Sequence, residues 1–332
     1  MSDVAPRLRV ALRLALRRAL GFKAVGPLVA LVVVYAIFYA LSPDTFARPM
    51  NLVNMARQTA VVGIAASGMT LVIILGGIDL SVGSAVALTT VMVASLLKAG
   101  AGVGAAVLGG VAVAALTGVL NGVLIAGLEV TPFIVTLGSM SILRGAAKGR
   151  AHEQKIDVDA HGLDALVAPL TGSKGFLFFP PAVWILVAVG LSVAALLRYT
   201  RFGRHVVAIG SNEETARLCG IDVRRVKIAV YTLAAALAGL AGVIEFGTLT
   251  VGDPTDSVGL ELDVIASVVI GGGSLSGGEG SVAGAIIGGL LMTVIKTGCT
   301  HLGLPNWVQE VLTGCIIVAA VAIDRLRRKR PG

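Results

Sequence analysis

The chain has 332 residues; 56% of them are Ala, Val, Ile, Leu, Met, Phe, Trp, Tyr or Cys, 43 more are glycine, and only 14% are charged. Soluble domains run at about 45–50% apolar residues with glycine included and about 25% charged, so a mean hydropathy of +0.90 excludes a soluble fold and makes this an integral membrane protein. The formal net charge of +8 would suit a nucleic-acid binder among soluble proteins. Here the basic residues flank apolar runs and report topology, so no nucleic-acid partner is expected.

Residues 1–23 hold Arg7, Arg9, Arg13, Arg17, Arg18 and Lys23. Arg9, Arg13 and Arg17 recur every four residues, with Leu8, Leu12, Leu16 and Leu20 on the opposite face. That is a basic amphipathic helix lying on the lipid surface. No small-x-small cleavage site follows Leu41, so the segment is not read as a signal peptide.

Uncharged runs then mark the spans: Ala24–Pro43, Gln58–Ile78, Leu80–Leu97, Ala99–Leu128, Val130–Leu143, Gly175–Leu197, Ile228–Ile244, Val264–Gly278, Ser281–Ile295 and Val311–Ile323. Runs of this length are helices, not the alternating ten-residue strands of a membrane barrel. The expected fold is therefore an all-α polytopic bundle of about ten transmembrane helices filling residues 24–324. Asn121-Gly122 interrupts the longest run and reads as a turn in preference to a kink.

Orientation follows from lysine and arginine. The N-terminal segment, the loop 198–227 and the basic tail 325–332 together carry 18 of the 27 basic residues, and ten helices put all three on one side. The positive-inside rule makes that side cytoplasmic. The loop 148–180 then lies outside. It contains His152, Glu153, Asp157, Asp159 and His161, read as a hydrated loop and not as a metal site. Cys219, Cys299 and Cys315 lie far apart and form no disulfide framework.

Two glycine-rich segments break apolar runs: Gly76-Gly77-Ile78-Asp79-Leu80-Ser81-Val82-Gly83-Ser84 and Gly271-Gly272-Gly273-Ser274-Leu275-Ser276-Gly277-Gly278-Glu279-Gly280-Ser281. Each ends one helix and restarts another, and their similarity hints at an internal duplication. An ionised Asp79 near the bilayer centre would cost about 2.5–3.5 kcal/mol. It therefore either lines a pathway or caps the restarted helix. Glu129, Glu245, Glu261, Asp263 and Glu310 stand at the ends of runs and read mostly as interfacial.

The loop Arg201–Lys227 contains Ser211-Asn212-Glu213-Glu214, which fits a capping box, and Gly220, which suits a left-handed helix stop. One short helix over about Asn212–Cys219 is expected, its ends specified strongly enough to suggest docking against another surface. No P-loop, GxGxxG, GxSxG or HExxH occurs, so neither nucleotide hydrolysis nor a familiar catalytic constellation is encoded.

Taken in order, GGIDLSVGS (Gly76–Ser84), LNGVLIA (Leu120–Ala126), TPFIVTLGSMSILRG (Thr131–Gly145), GRHVVAIGSNEETARLCGIDVRRVKI (Gly203–Ile228) and ELDVIASVVIGGGSLSGGEGS (Glu261–Ser281) carry a resemblance. The chain resembles the permease subunit of bacterial ABC importers for ribose, xylose, arabinose, galactosides and related ligands. That resemblance implies a multi-pass protein of the bacterial inner membrane, with no enzymatic activity and no cofactor of its own. Its partners would be ABC ATPase subunits that use ATP and Mg, an extracytoplasmic sugar-binding protein, a second permease chain and the surrounding lipid. The capped helix becomes the coupling helix, with Asn212, Glu213, Glu214, Ala216, Arg217 and Gly220 meeting the ATPase. Lys148–Pro180 is longer than family members usually show.

Alternating access would then move a neutral sugar past weakly polar groups. Asp79, Asn121, Thr136, Ser139 and Ser141 are the candidates, and the Gly118-x-x-x-Gly122 and Gly284-x-x-x-Gly288 pairs are sliding or static contacts. The alternative is a proton- or sodium-coupled transporter with Asp79 and Glu245 as relays.

Overall fold

The computed structural model of the chain describes residues 25–168 and 179–328. The amphipathic N-terminal segment, the first half of the Phe176–Pro181 stretch and the end of the basic tail lie outside the described residues. The helices are α1 (Val25–Leu41), α2 (Pro43–Phe46), α3 (Pro49–Ile74), α4 (Val82–Lys98), α5 (Val103–Leu128), α6 (Pro132–Arg150), α7 (Pro181–Tyr199), α8 (Arg201–Ser211), α9 (Glu213–Leu218), α10 (Val223–Leu249), α11 (Leu260–Ile270), α12 (Val282–His301) and α13 (Asn306–Arg328). The all-α membrane bundle expected from composition is present. Five helices (α3, α5, α7, α10 and α12) are long and apolar enough to span a bilayer, and α1, α4 and the first part of α13 are shorter apolar helices. With α6 and α11 they occupy the places of the ten expected spans.

Local chemistry sets the helix ends. Proline stands in the first turn of α3, α6 and α7, where its missing N–H costs nothing. The side chains of Thr200, Asn212, Asp222 and Ser281 cap α8, α9, α10 and α12. Glycine then sets how closely the helices pack. Antiparallel α5 and α10 meet at Gly118, Gly122 and Gly239; a methyl on Gly122 would stand 2.6 Å from the Ile228 Cα, and one on Gly239 2.8 Å from the Ala114 Cβ. Gly284 and Gly288 on α12 press the backbone of Gly271 and Ser267 beside α11 in the same way. Both small-residue pairs are thus sites of backbone-to-backbone contact.

Call the end of the bundle that carries α8 and α9 the lower end. The α4–α5 turn and the segments 151–167 and 250–259 lie at the upper end. There β1 (Ile156–Asp157) pairs antiparallel with β2 (Val251–Gly252), and Lys155 Nζ sits 3.0 Å from Asp253. Ala160 and Leu163 pack on Leu97, Ala106 and Phe246. Burial raises the Asp253 carboxyl, but hydrogen bonds from the Thr255 N–H and hydroxyl, with Lys155, outweigh it and hold the group below its ordinary value. The acidic and histidine-containing loop is thereby folded down onto the bundle. His152, Glu153 and His161 adopt left-handed backbone within it.

Three expectations change. Ala99–Leu128 is a four-residue turn followed by one continuous helix, and Asn121-Gly122 lies inside α5 with no turn, because Gly122 is required by its contact with α10. The loop after α7 holds two helices where one was expected: α8 is strongly amphipathic and buries Gly203, Val206 and Ile209. Ser211 does not form the capping box. Its hydroxyl donates to the Val207 carbonyl within α8, and Asn212 caps α9 instead, accepting from the Thr215 N–H at 2.8 Å.

Candidate functional site at the lower end

The two glycine-rich breaks begin with the same backbone motif. Gly76 and Gly272 both have φ of 90°. After α3, the Gly76 N–H donates to Ile73 and the Gly77 N–H to Val72; after α11, the Gly272 N–H donates to Val269 and the Gly273 N–H to Val268. This is the Schellman stop, which needs a left-handed residue that glycine supplies without strain.

Beyond their shared start, the breaks touch. The Gly278 N–H donates to the Ile74 carbonyl at 2.8 Å, and a side chain on Gly277 would come within 3.1 Å of the Gly76 Cα. The end of α8 is wedged into the same place. A methyl on Gly210 would strike the Ile74 carbonyl oxygen and stand 2.7 Å from the Gly278 nitrogen. One on Gly278 would stand 2.6 Å from the Ser211 hydroxyl. Gly210 and Ser211 lead into α9 across Asn212 alone. The short helix is therefore fastened to both breaks through a junction of backbone atoms.

Sequence reasoning missed this role for Gly210. The available signal was a glycine on the buried side of an amphipathic segment.

α9 itself behaves as its caps require. Gly220 has φ of 82° and closes the helix with the same Schellman bonds. Glu213 bonds Lys227 at 2.8 Å, which ties α9 to the first turns of α10, and Arg217 at 3.3 Å within α9. Asn212, Glu214, Arg217 and Leu218 face outward. Leu218 is 84% exposed, an apolar side chain among charges that the sequence reading overlooked. Ala216 is only 4% exposed and packs inward, so its expected place on the outer face is not available to it. A cleft of about 630 Å³ separates α9 from the α5–α6 turn, lined by Glu129, Glu213, Arg217, Arg224 and Lys227 among others.

Above the junction, four of the five expected pathway residues converge. Asp79 is 1% exposed. Its Oδ1 accepts from the Ser81 N–H at 2.8 Å and the Ser81 hydroxyl at 2.6 Å, which turns the chain into α4. Asn121 Nδ2 donates to the Ser81 hydroxyl at 3.2 Å, and the Ser139 hydroxyl donates to Asn121 Oδ1. Thr136 donates to the Ile78 carbonyl at 3.2 Å and to Pro132 at 2.9 Å. The first break, α5 and α6 are thus joined by one hydrogen-bonded chain. At 1.5 Å per residue it lies about 6–12 Å above the lower helix ends. Ser141 does not join it; it is exposed and turned back to the Leu137 carbonyl. The Tyr231 hydroxyl is buried beside Gly77 without a hydrogen-bond partner among the described residues.

Comparison with known proteins identifies the family. Residues 51–321 match the family described as branched-chain amino acid transport system / permease component. The ribose import permease protein of Escherichia coli (strain K12) is 39% identical over 307 residues, which is 91% of this chain and 93% of that protein. The L-arabinose ABC transporter permease protein of Azospirillum brasilense is 34% identical over 305 residues, 92% of this chain and 88% of its own length. The D-allose transport system permease protein of E. coli (strain K12) is 34% identical over 314 residues, 94% of both chains. No solved structure matches the chain. The chain is a multi-pass membrane protein and a transport subunit, not an enzyme, and it belongs to this family of ABC transporter permeases.

Proposed function

We propose that this chain is the membrane-spanning permease subunit of a bacterial ABC importer, and that it moves a monosaccharide-type ligand inward across the cytoplasmic membrane. The lower end, which carries the basic loop 198–227, faces the cytoplasm. There Glu214, Arg217 and Leu218 of α9 meet an ATPase subunit, assisted by the caps at Asn212 and Gly220. ATP and Mg belong to that partner. A binding protein delivers the sugar to the upper end, where the folded-down loop 151–167 and the segment 250–259 form the docking surface. A second permease chain completes the pathway.

One observation carries this reading: the backbone junction of Gly210 with Ile74 and Gly278. Close-packed backbone transmits displacement without the slack of flexible side chains. When the ATPase dimer closes and drags α9, both breaks must follow together. The first break is bonded through Ser81 and Asn121 to α5 and α6, so a push at the lower end re-aims the helices α4 to α6. That supplies a mechanical basis for alternating access.

The test is purification of the tagged protein from its native membrane in mild detergent. A stoichiometric ATPase subunit should co-elute with wild type and be lost from Glu214→Ala/Arg217→Ala. A protein that elutes alone after crosslinking would move the reading to an ion-coupled transporter.

A further inference from the structure

The upper half of the bundle contains a second polar region that the lower-end site does not use. A cavity of about 220 Å³ opens between α3, α10, α11 and α12, beneath the segment 256–258. Its polar lining includes Gln58, Glu245, Asp256, Asp263, Thr293 and Lys296, drawn from four helices and one loop, with the Ser257 hydroxyl donating to Asp256 at 2.7 Å. Val61 and Met292 supply an apolar wall. Lys296 is ion-paired with Asp263, which is 5% exposed. The segment overhead is held in place by Arg144 of α6, whose Nη1 donates to the carbonyls of Pro254 at 3.0 Å and Asp256 at 2.6 Å. Three helices place the cavity independently. Glu245 stands four residues before the end of α10, Lys296 five before the end of α12, and Gln58 nine after the start of α3. At 1.5 Å per residue these positions lie about 6–14 Å below the upper helix ends.

We propose that this cavity is the site in the permease that holds the ligand after it enters from the upper end, and that it takes one uncharged, polyhydroxylated ring. This rests on the sugar-importer reading above. The volume holds about seven waters at ~30 Å³ each and falls below the ~300 Å³ at which pockets for drug-sized ligands begin. The ligand must therefore be small. Glu245 and Asp256 accept hydrogen bonds from hydroxyl groups. Lys296 donates, Gln58 and Thr293 do either, and the wall of Val61 and Met292 covers a C–H face.

A cationic ligand is not needed to balance Asp263, because Lys296 is already paired with it. An anionic one would face Glu245, Asp256 and Asp263. Release toward the lower end needs only the segment 253–258 to stay pinned by Arg144 while the helix walls separate, so ligand and pin do not compete for the same groups.

The test uses the intact importer reconstituted in vesicles, with D-ribose, L-arabinose and D-allose as labelled probes. Glu245→Gln and Thr293→Val are compared with wild type for uptake of each sugar. A third variant, Asp263→Asn/Lys296→Gln, removes both members of the ion pair together. The expected result is at least a threefold change in the uptake ratio between two of the sugars in Glu245→Gln, with ATPase assembly and protein amount unchanged.

A fault in folding would lower all three uptakes in equal proportion, and that result would overturn the assignment. Unchanged rates and ratios in all three variants would overturn it while leaving the importer reading intact. Transport of none of the sugars by wild type would remove the sugar reading, and the cavity assignment with it.

Discussion

The lower polar chain and the upper polar cavity are built from similar ingredients and behave oppositely. In the lower chain, Asp79, Ser81, Asn121 and Ser139 bond to one another. Their polar atoms are consumed in holding the first break against α5 and α6. In the upper cavity, Glu245, Asp256 and Gln58 face open space beside the Asp263–Lys296 pair. Buried polar groups that satisfy one another fix helix positions, while those left facing a cavity are available to a ligand. The comparison assigns the lower region to force transmission and the upper one to recognition. It also shifts ligand contact away from Asp79, the residue to which the sequence draws attention first.

Four experiments would break or sharpen that division. Gly210→Ala forces a methyl into the Ile74 carbonyl and the Gly278 backbone, where overpacking costs about 1–3 kcal/mol. Thermal denaturation in detergent should show that loss, and uptake should fall more than tenfold. Near-normal uptake would detach α9 from the breaks. Asn121→Leu leaves the Ser81 and Ser139 hydroxyls without a shared partner and should cost about 1–3 kcal/mol in the same assay. The ratio of sugars carried should not change; a changed ratio would place the ligand in the lower chain.

Glu214→Ala/Arg217→Ala removes exposed side chains and should alter stability by no more than about 0.5 kcal/mol, while ATP hydrolysis no longer drives uptake. Asp253→Asn removes a partly exposed ion pair, so about 0.2–1 kcal/mol is expected. Because the folded Asp253 carboxyl is held below its ordinary value, its contribution is present above the unfolded value and disappears as pH falls through the folded one. The protection of residues 151–167 against hydrogen exchange, relative to the intrinsic rate at each pH, should fall on acidification in wild type, with less change in Asp253→Asn.

The parts legible in the sequence were those encoded locally. Apolar runs gave the helices, and the Ser211–Glu214 capping signal with Gly220 gave α9 to within a residue, because caps act within a few residues of themselves. Asp79 stood out because a carboxylate in a glycine break is a local anomaly. Asn121, Thr136 and Ser139 were chosen as weakly polar residues in apolar helices, and the structure brings them to one place with Asp79. The upper cavity was illegible for the opposite reason. Gln58, Glu245, Asp263 and Lys296 come from four helices; Glu245 and Asp263 alone read as interfacial charges, Gln58 opens an uncharged run and Lys296 follows one. Lys296 is recognisable as the partner of buried Asp263 only once α11 and α12 fold against each other. The Asn121-Gly122 turn was misread because glycine marks a turn and a close helix contact with the same residue. Only the position of Ile228 decides between them. Ser211 and Asn212 both satisfy the capping rule, and the continuation of α8 through Ser211 selects the second.

The most direct measurement is accumulation of labelled sugar in vesicles holding the purified importer, with ATP supplied on the α9 side and ion gradients dissipated. Wild type should accumulate sugar only when ATP is present. Glu214→Ala/Arg217→Ala, inserted in equal amount, should not accumulate it. Accumulation that continues without ATP and stops when an ion gradient is collapsed would contradict the assignment of α9 as the point where ATP hydrolysis drives transport.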